Sequence, residues 1–336
     1  MSHYHHLSIT ERECIWENRI KGKSLREIAR CIGRNVSTVS RELSRNKGSE
    51  NYRPSKAQKN YKRRRKRCRR SYVLNGEPLR DTVVRLLTEE QWSPEQISNR
   101  LLEEKGFPLV SYSTIYRALK KGIMEPKGQR KKNRHGQFPM EKHLRRKGWR
   151  GRKNRKKDKK STSFVHQTIE QRPKEAEGRL QLGHWEGDLV YSSFHKVYIV
   201  TLVDRCSRYL LTGICENKKP GDIAKVMLAM LKDLPPELVR SITLDRGLEF
   251  ANHSKITDVL PHVQFYFAHP YSPWERGTNE NTNGLLRQYV PKCTYKRPFS
   301  RELLEQFTYK LNRRPRKCLS WKTPFEVFTS SLLHLT

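Results

Sequence analysis

The chain has 336 residues, and its 70 Lys/Arg against 34 Asp/Glu give a formal net charge of +36. This length accommodates two or three domains, and the charge favours a polyanionic partner. No apolar run approaches the length of a membrane span and no secretory leader pattern is present, so we expect neither. Seven scattered cysteines without a Cys-x-x-Cys pair predict reduced thiols in a cytoplasmic protein.

The first predicted elements form a helix-turn-helix. A first helix is expected to begin at Thr10, with Glu13 at capping-box spacing and an inward face of Ile15, Trp16 and Ile20. Ser24 should cap a short helix over 25–31, Gly33 should make the turn, and Asn35 should cap the helix that follows. In this motif the second helix of the pair enters the major groove of DNA.

The second helix of this pair carries the candidate DNA contacts. Val36, Val39 and Leu43 are expected to pack inward, and three residues should reach bases or phosphates: Ser37, Thr38 and Arg41. A generic three-helix bundle is the alternative, and the short, polar and basic exposed face disfavours it. We assign residues 1–52 to this domain.

A second copy of the pattern is predicted over 73–122. Ser93 and Pro94 open a helix that should run to about Lys105. Residues 113–119 then repeat the Ser-Thr-aliphatic-x-Arg-x-Leu pattern of residues 37–43, which gives three more candidate DNA contacts: Ser113, Thr114 and Arg117. Two short sequence matches can arise by chance, so the second copy has fewer observations behind it than the first.

The charge excess is concentrated in two segments that we interpret as basic linkers, 53–72 and 123–165. Residues 53–70 hold eleven Lys/Arg and no acid, and residues 120–160 hold nineteen Lys/Arg and three acids. Such clusters predict arms that bind DNA phosphates without reading sequence.

The remaining residues, 166–336, predict an α/β domain of the RNase H-like fold, so the whole chain is multidomain with all-α units first. The expected order is a three-stranded meander, a helix, a strand, a helix, a strand and an acidic helix. The predicted strands cover 183–190, 197–203, 209–214, 241–245 and 264–268, and the predicted helices cover 223–234, 250–260 and 278–290.

Three acids occupy positions that suit a nucleic-acid-cutting metal site: Asp188, Asp245 and Glu280. Two would lie at neighbouring strands and the third near the start of a helix. Carboxylates in this arrangement can bind hard divalent cations, and a pair of such ions can stabilise an in-line phosphoryl displacement. On the helix, Glu280 shares a face with Arg287. Taken alone, an ordinary amphipathic helix with a solvated glutamate is the better interpretation.

Other polar residues near these acids are given mainly structural interpretations. Asp204 is expected to stabilise a hairpin turn, and Glu186 is a possible but not favoured support for Asp188. His184 either touches DNA or packs. Arg276 and Arg287 are candidate DNA contacts, and Trp274 is equally a contact or a packing anchor.

Three stretches of the sequence resemble the DDE transposases of bacterial insertion sequences, most of all the IS-thirty family. They are residues 183–190, 243–250 and 270–284, the last with the pattern Pro-Trp-x-Arg-Gly-x-x-Glu-x-x-Asn-Gly, and residues 311–317 and 323–326 are similar to the family's C-terminal signature. The chain departs from the family at Arg246, where an asparagine is usual.

The resemblance implies a transposase that binds terminal inverted repeats and catalyses metal-dependent DNA cleavage and strand transfer. It implies that Asp188, Asp245 and Glu280 bind Mg²⁺ or Mn²⁺, with two ions in the site. The partners would be double-stranded DNA of the element ends and of the target, and we expect a homo-oligomer in the DNA complex. No membrane and no small-molecule substrate is expected. Two alternatives stay open: a transcription regulator on an inactive transposase scaffold, and a nuclease that cuts without joining.

Overall fold

The computed structural model describes residues 5–46, 52–68, 71–126, 128, 130–144, 167–192, 195–270, 272–291 and 299–332. The chain divides into two compact units, Met1–Val73 and Leu74–Thr336. Within the described ranges, no helix has the length and apolar character needed to cross a membrane. Residues 127, 129 and 145–165 of the second predicted linker lie outside the described residues.

The N-terminal unit contains four helices: α1 (Ile9–Ile20), α2 (Leu25–Cys31), α3 (Val36–Arg45) and α4 (Pro54–Arg67). The predicted helix-turn-helix is confirmed in detail. Ser24 caps α2 in a capping box with Glu27, Gly33 adopts a φ of +62° in the turn, and the Asn35 side chain accepts from the backbone N–H of Ser37. These signals are local, so the sequence alone specifies them.

The predicted start and inward face of α1 are wrong in part. The cap is Ser8, whose capping box uses Glu11 at the same spacing two residues earlier. Ile15 is buried as expected, but Trp16, Ile20 and Val36 are 41%, 67% and 37% exposed. The inward positions are instead taken by polar residues, because a buried ion pair joins Arg12 of α1 to Glu42 of α3 at 2.8 Å.

The segment predicted as the first basic linker is largely helical. Pro54 begins α4 at a position where its missing N–H costs nothing. Ala57 is buried against the first three helices, and Tyr52 just before α4 is also buried and donates its hydroxyl to Glu42. These contacts make α4 part of the N-terminal unit.

The second unit opens with three helices: α5 (Glu77–Thr88), α6 (Pro94–Lys105) and α7 (Tyr112–Lys120). The predicted bounds of α6 are confirmed, with Ser93 as cap and Gly106 in the left-handed conformation after its end. The buried apolar side chains of the three helices pack into one core; they include Val83, Leu87, Ile97, Ile115 and Leu119.

The rest of the second unit is built around a five-stranded sheet. Its strands are β1 (His184–Ser192), β2 (Val197–Asp204), β3 (Leu210–Cys215), β4 (Ser241–Leu244) and β5 (Gln264–Phe267). The spatial order is β3-β2-β1-β4-β5, with the first three antiparallel and β4 and β5 parallel to β1. This is the predicted meander followed by two crossover strands, the order of an RNase H-like fold.

Helices cover both faces of the sheet. The helices of this region are α8 (Lys174–Gly178), α9 (Pro220–Leu231), α10 (Ser254–Thr257), α11 (Gly277–Tyr289), α12 (Arg301–Asn312) and α13 (Pro324–Leu332). On one face Met227 of α9 and Phe328 of α13 pack around Trp185 of β1. On the other, Leu286 of α11 and Leu311 of α12 pack against β2 and β3. The sheet is therefore a rigid platform with α11 fixed across it.

The predicted helix over 250–260 is wrong. The chain there forms a tight 3-10 turn at Leu248–Phe250 and only the four-residue α10. Its backbone bonds are mostly of the i to i+3 type, such as Ile256 N–H to His253 C=O at 2.9 Å. A continuous helix would carry the His253 ring away from Phe267, against which it packs edge-on at 5.1 Å.

Polar contacts tie α6 to the C-terminal helices of the same unit. Arg100 forms a forked ion pair with Glu326 of α13, with one N–O distance of 2.9 Å. Arg314 donates both to Gln96 of α6 and to Gln288 of α11, each at 3.0 Å. The second of the three N-terminal helices of this unit, α6, is thus held on the same framework as α11.

Candidate active site

The parallel pairing of β1 with β4 brings Asp188 and Asp245 to one region of the sheet. Glu186 lies opposite Thr243 in this pairing, and Asp188 and Asp245 each follow two residues later in the chain. Asp188 is a half-buried residue of β1, and Asp245 is the first residue after β4. The expectation that adjacent parallel strands place the two acids together is therefore confirmed for the backbone.

One guanidinium connects the two aspartates. Arg276, which directly precedes α11, donates to Asp245 Oδ2 at 3.1 Å and to the carbonyl of Gly187 at 3.0 Å. Its Nη1 is also 3.6 Å from Asp188 Oδ1. The side chain of Arg276 is only 14% exposed. A single guanidinium therefore pairs with both carboxylates.

Glu280, the third predicted acid, lies on the helix that adjoins this pair of aspartates. It occupies the first turn of α11 and is exposed. Asn283, which shares its helix face one turn later, donates to Asp188 Oδ2 at 2.8 Å. The structure thus places the helix face of Glu280 beside Asp188. Among the described residues, however, no three acidic, His or Cys side chains are grouped closely enough to hold a metal ion.

The electrostatics of Asp188 reflect its half-buried position. Removal from water raises the pKa of this carboxyl above its usual range, Arg276 opposes the rise, and Asp245 adds to it. On α11, burial lowers the pKa of Arg287, and the Asp188 charge opposes that change. Arg287 therefore faces the acidic region, in agreement with its predicted helix face.

A buried ion pair supports the start of α11, and sequence analysis did not assign it. Glu186 is fully buried and pairs with Arg205, which also donates to the carbonyl of Ala176 at 2.8 Å. The second carboxylate oxygen of Glu186 accepts from the backbone N–H of Asn279 at 2.9 Å. This contact fixes the turn that carries Glu280. The sequence held one signal for this role. Side chains alternate between the two faces of a strand, so Glu186 lies on the same face of β1 as Asp188.

Two neighbouring polar residues are structural. Asp204 is fully buried at the end of β2 and accepts from the backbone N–H groups of Gly183 and Ser207 at 2.9 and 2.7 Å, as a turn-stabilising residue should. His184 is buried and 2.7 Å from the Ser241 hydroxyl, and burial lowers its pKa to about 4. It packs and has no exposed edge for DNA.

The candidate DNA contacts differ in their surroundings. Ser37 and Arg41 are exposed on α3 and hydrogen-bond to each other at 3.0 Å, with Thr38 half-buried beside them. On α7, Ser113 and Arg117 are exposed and Thr114 is half-buried. These six stay candidates. Arg276 was predicted to contact DNA, but its guanidinium points into the acidic site, while Trp274 is 72% exposed.

Comparisons with known proteins follow the same division of the chain. A helix-turn-helix domain family matches residues 3–46, and the integrase core domain family matches residues 179–273. The second match includes Asp188 and Asp245 and ends before α11. The domains and the sheet order define the chain as a polynucleotidyl transferase of the integrase class. This class depends in general on divalent metal ions.

The chain is similar to curated transposases over nearly its whole length. It is 38% identical to the transposase InsI of insertion sequence element IS30A from Escherichia coli K12, covering 96% of this chain and 83% of that protein. It is 34% identical to the transposase of IS1086 from Cupriavidus metallidurans, covering 99% and 97%. For the transposase of IS4351 from Bacteroides fragilis the identity is 37%, covering 91% and 90%. The chain belongs to the IS30, or IS-thirty, family of DDE transposases.

Proposed function

We propose that this protein is the transposase of an insertion sequence, which binds the terminal inverted repeats of the element and cleaves and transfers its DNA strands. The observation that carries the proposal is the juxtaposition of Asp188 and Asp245 on neighbouring parallel strands. In a chain of this family, that arrangement suits the cutting of phosphodiesters. The helix-turn-helix of the N-terminal unit supplies the means to select the DNA that is cut.

The acidic region fits a divalent cation. Asp188 and Asp245 offer hard oxygen ligands, and the single positive charge of Arg276 leaves the pair with a net negative charge. We propose that Glu280 completes the set, since its carboxylate is exposed and its helix face adjoins Asp188 through Asn283. The ions would be Mg²⁺ or Mn²⁺, two per site, and would supply charge neutralisation at the scissile phosphate and a nucleophile at neutral pH.

The protein's own residues position the reacting groups. The Glu186 carboxylate holds the start of α11 through the Asn279 N–H, and Asn283 orients Asp188. The Arg287 guanidinium faces the same region and suits a DNA phosphate. Catalysis then rests on alignment of the attacking hydroxyl with the phosphate and on preorganised charge. Cleavage leaves a 3′-OH, which the same site aligns against target DNA.

The DNA products of the reaction distinguish the two alternatives, the regulator and the nuclease, from a transposase. A regulator on an inactive scaffold would bind element ends and leave them uncut in Mg²⁺. A nuclease would cut but give no joined molecules. Cleavage followed by strand transfer supports the transposase alone.

We expect Arg276→Gln to bind Mn²⁺ more tightly than the unmodified protein in the absence of DNA. The guanidinium competes with a metal ion for Asp188 and Asp245, and loss of such a charge is worth about 1–2 kcal/mol, or roughly 5- to 30-fold in affinity. Calorimetric titration measures it. Arg240→Gln is the matched control, because its Nε donates to the Glu237 carbonyl at the opposite end of β4. Equal or weaker Mn²⁺ binding by Arg276→Gln would contradict the competition.

We expect Arg41→Ala to weaken binding to the terminal repeat by roughly 1–3 kcal/mol and to relax its sequence preference, if the side chain reads a base. If it touches only phosphate, binding to end DNA and random DNA should fall alike. Fluorescence anisotropy with both duplexes decides between these. Arg19→Ala on the exposed end of α1 is the control. Unchanged affinity for both duplexes would remove Arg41 from the interface.

A further inference from the structure

A basic cavity lies between α3 and α4 of the N-terminal unit. Its volume is about 400 Å³, and its lining comprises His6, Leu7, Arg12, Thr38, Arg41, Glu42, Arg45, Tyr61, Arg64, Arg65 and Cys68. Arg41 and Arg45 come from α3, and Arg64 and Arg65 come from α4. The helix-turn-helix match ends at residue 46, so half of these arginines belong to a segment outside that domain.

The floor of the cavity is neutral, so the four arginines define its charge. Glu42 is the one acid in the lining, and it is buried and paired with Arg12 at 2.8 Å. The Arg12 guanidinium also stacks over the Tyr61 ring, 5.0 Å from its centroid. In the described part of the chain, no carboxylate pairs with Arg41, Arg45, Arg64 or Arg65. Four guanidinium groups without a carboxylate partner, three of them exposed, make this cavity a site that attracts an anion.

The cavity is held in shape by the packing of α4. Arg12 of α1 donates to Gln58 of α4, and Asn60 of α4 donates to Asn46 at the end of α3 at 3.3 Å. Ala57 is buried in the same core. Because α4 is fixed to α1 and α3, the backbone positions that carry its arginines are set before any ligand binds, which lowers the ordering cost of binding.

A ligand that fills this cavity contacts α3 as well as α4. Thr38 and Arg41 line the cavity and also belong to the face of α3 that carries the candidate DNA contacts. When a recognition helix enters the major groove, the flanking anion is the phosphodiester backbone of the same duplex. A guanidinium group can donate two parallel hydrogen bonds to the oxygens of one phosphate. The backbone of a DNA strand supplies such phosphates.

We propose that the cavity between α3 and α4 is a phosphate-binding site that clamps the DNA backbone beside the recognition helix. Arg64 and Arg65 of α4 act with Arg45 on the phosphate, and Arg41 lies at the boundary with the bases. The site adds affinity on every sequence and fixes the depth and angle of α3 in the groove. The proposal rests on DNA binding by the N-terminal unit.

The test compares two double variants of the full chain, Arg64→Gln/Arg65→Gln and Lys62→Gln/Lys66→Gln. Both remove two positive charges from α4, but Lys62 and Lys66 are exposed and do not line the cavity. Binding is measured by anisotropy over a salt series, on end DNA and on random DNA. Thermal melting of each variant verifies that α4 stays folded, and Arg65→Gln alone serves if the double variant melts early.

We expect the arginine pair to lose roughly 10-fold or more in affinity for both duplexes, as charge-assisted contacts predict. The slope of log affinity against log salt should flatten by about 1–2 units, close to 0.9 for each lost phosphate contact. Replacement of the lysine pair should change affinity by less than about threefold, because Lys62 and Lys66 do not line the cavity. Equal losses for the two pairs, or no loss for the arginine pair, would overturn the site.

Failure of the proposed function gives a different result. If the unmodified protein showed no preference for element ends over random DNA, the assigned end recognition would be wrong. The cavity would still be judged by the difference in salt slope between the two variant pairs on random DNA.

Discussion

Replacement of any one of three carboxylates is expected to abolish DNA cleavage while binding to element ends stays intact. The variants are Asp188→Asn, Asp245→Asn and Glu280→Gln, each of which keeps the size of the side chain. Loss of a central catalytic group costs about 10³-fold or more in rate. End binding should persist because the helix-turn-helix of the N-terminal unit carries it. Gel shift and cleavage on the same duplex in Mg²⁺ measure both.

Asp233→Asn is the matched control for these variants, since Asp233 is exposed just beyond the end of α9 and should leave cleavage unchanged. Full cleavage by any one of the three variants would remove that residue from the proposed site. This matters most for Glu280, which the structure leaves exposed and apart from the two aspartates.

The second large effect is on stability. Glu186→Ala should lower the free energy of unfolding by about 3–5 kcal/mol, because it leaves the Arg205 charge buried without its partner. Both side chains are almost fully inaccessible, at 0% and 5% exposure. The variant also removes the acceptor for the Asn279 N–H, so residual folded protein should cleave poorly. Urea denaturation of the full chain gives the midpoint and slope.

Two further variants sharpen this result. Glu186→Gln keeps a carbonyl oxygen for the Asn279 N–H, so it should restore part of the cleavage activity while stability stays low. Glu305→Ala removes an exposed carboxylate of α12, and surface changes of this kind cost at most about 0.5 kcal/mol. A loss below about 1 kcal/mol for Glu186→Ala would show that the ion pair does not hold α11 in place.

Much of the fold could be predicted because its signals are local. Ser24 and Ser93 are followed at fixed spacing by their capping partners, and each begins a helix where the sequence places it. The strands followed from apolar runs of the right length, and the proximity of Asp188 and Asp245 followed from the element order expected of an RNase H-like fold. Local signals failed at residues 250–260, where the chain forms turns and a four-residue helix while His253 packs against Phe267.

The contacts that complete the site are long-range, and sequence alone could not predict them. Arg205 meets Glu186 from 19 residues away, and Asn279 meets it from 93 residues away. Arg276 was assigned to DNA because it is basic and lies in a loop, yet it turns inward toward two acids. In the N-terminal unit, the pairing of Arg12 with Glu42 displaced the apolar residues predicted to lie inside. Polarity alone does not reveal which charged residues are buried.

The proposed function is tested most directly by mapping the products of purified full-length protein with DNA that carries both ends of the element, a target plasmid and Mg²⁺. We predict cuts at the element ends that leave 3′-OH groups, and joining of those ends to target DNA. Neither product should form with the Asp188→Asn protein. Intact ends, or cuts elsewhere without joined molecules, would contradict the account.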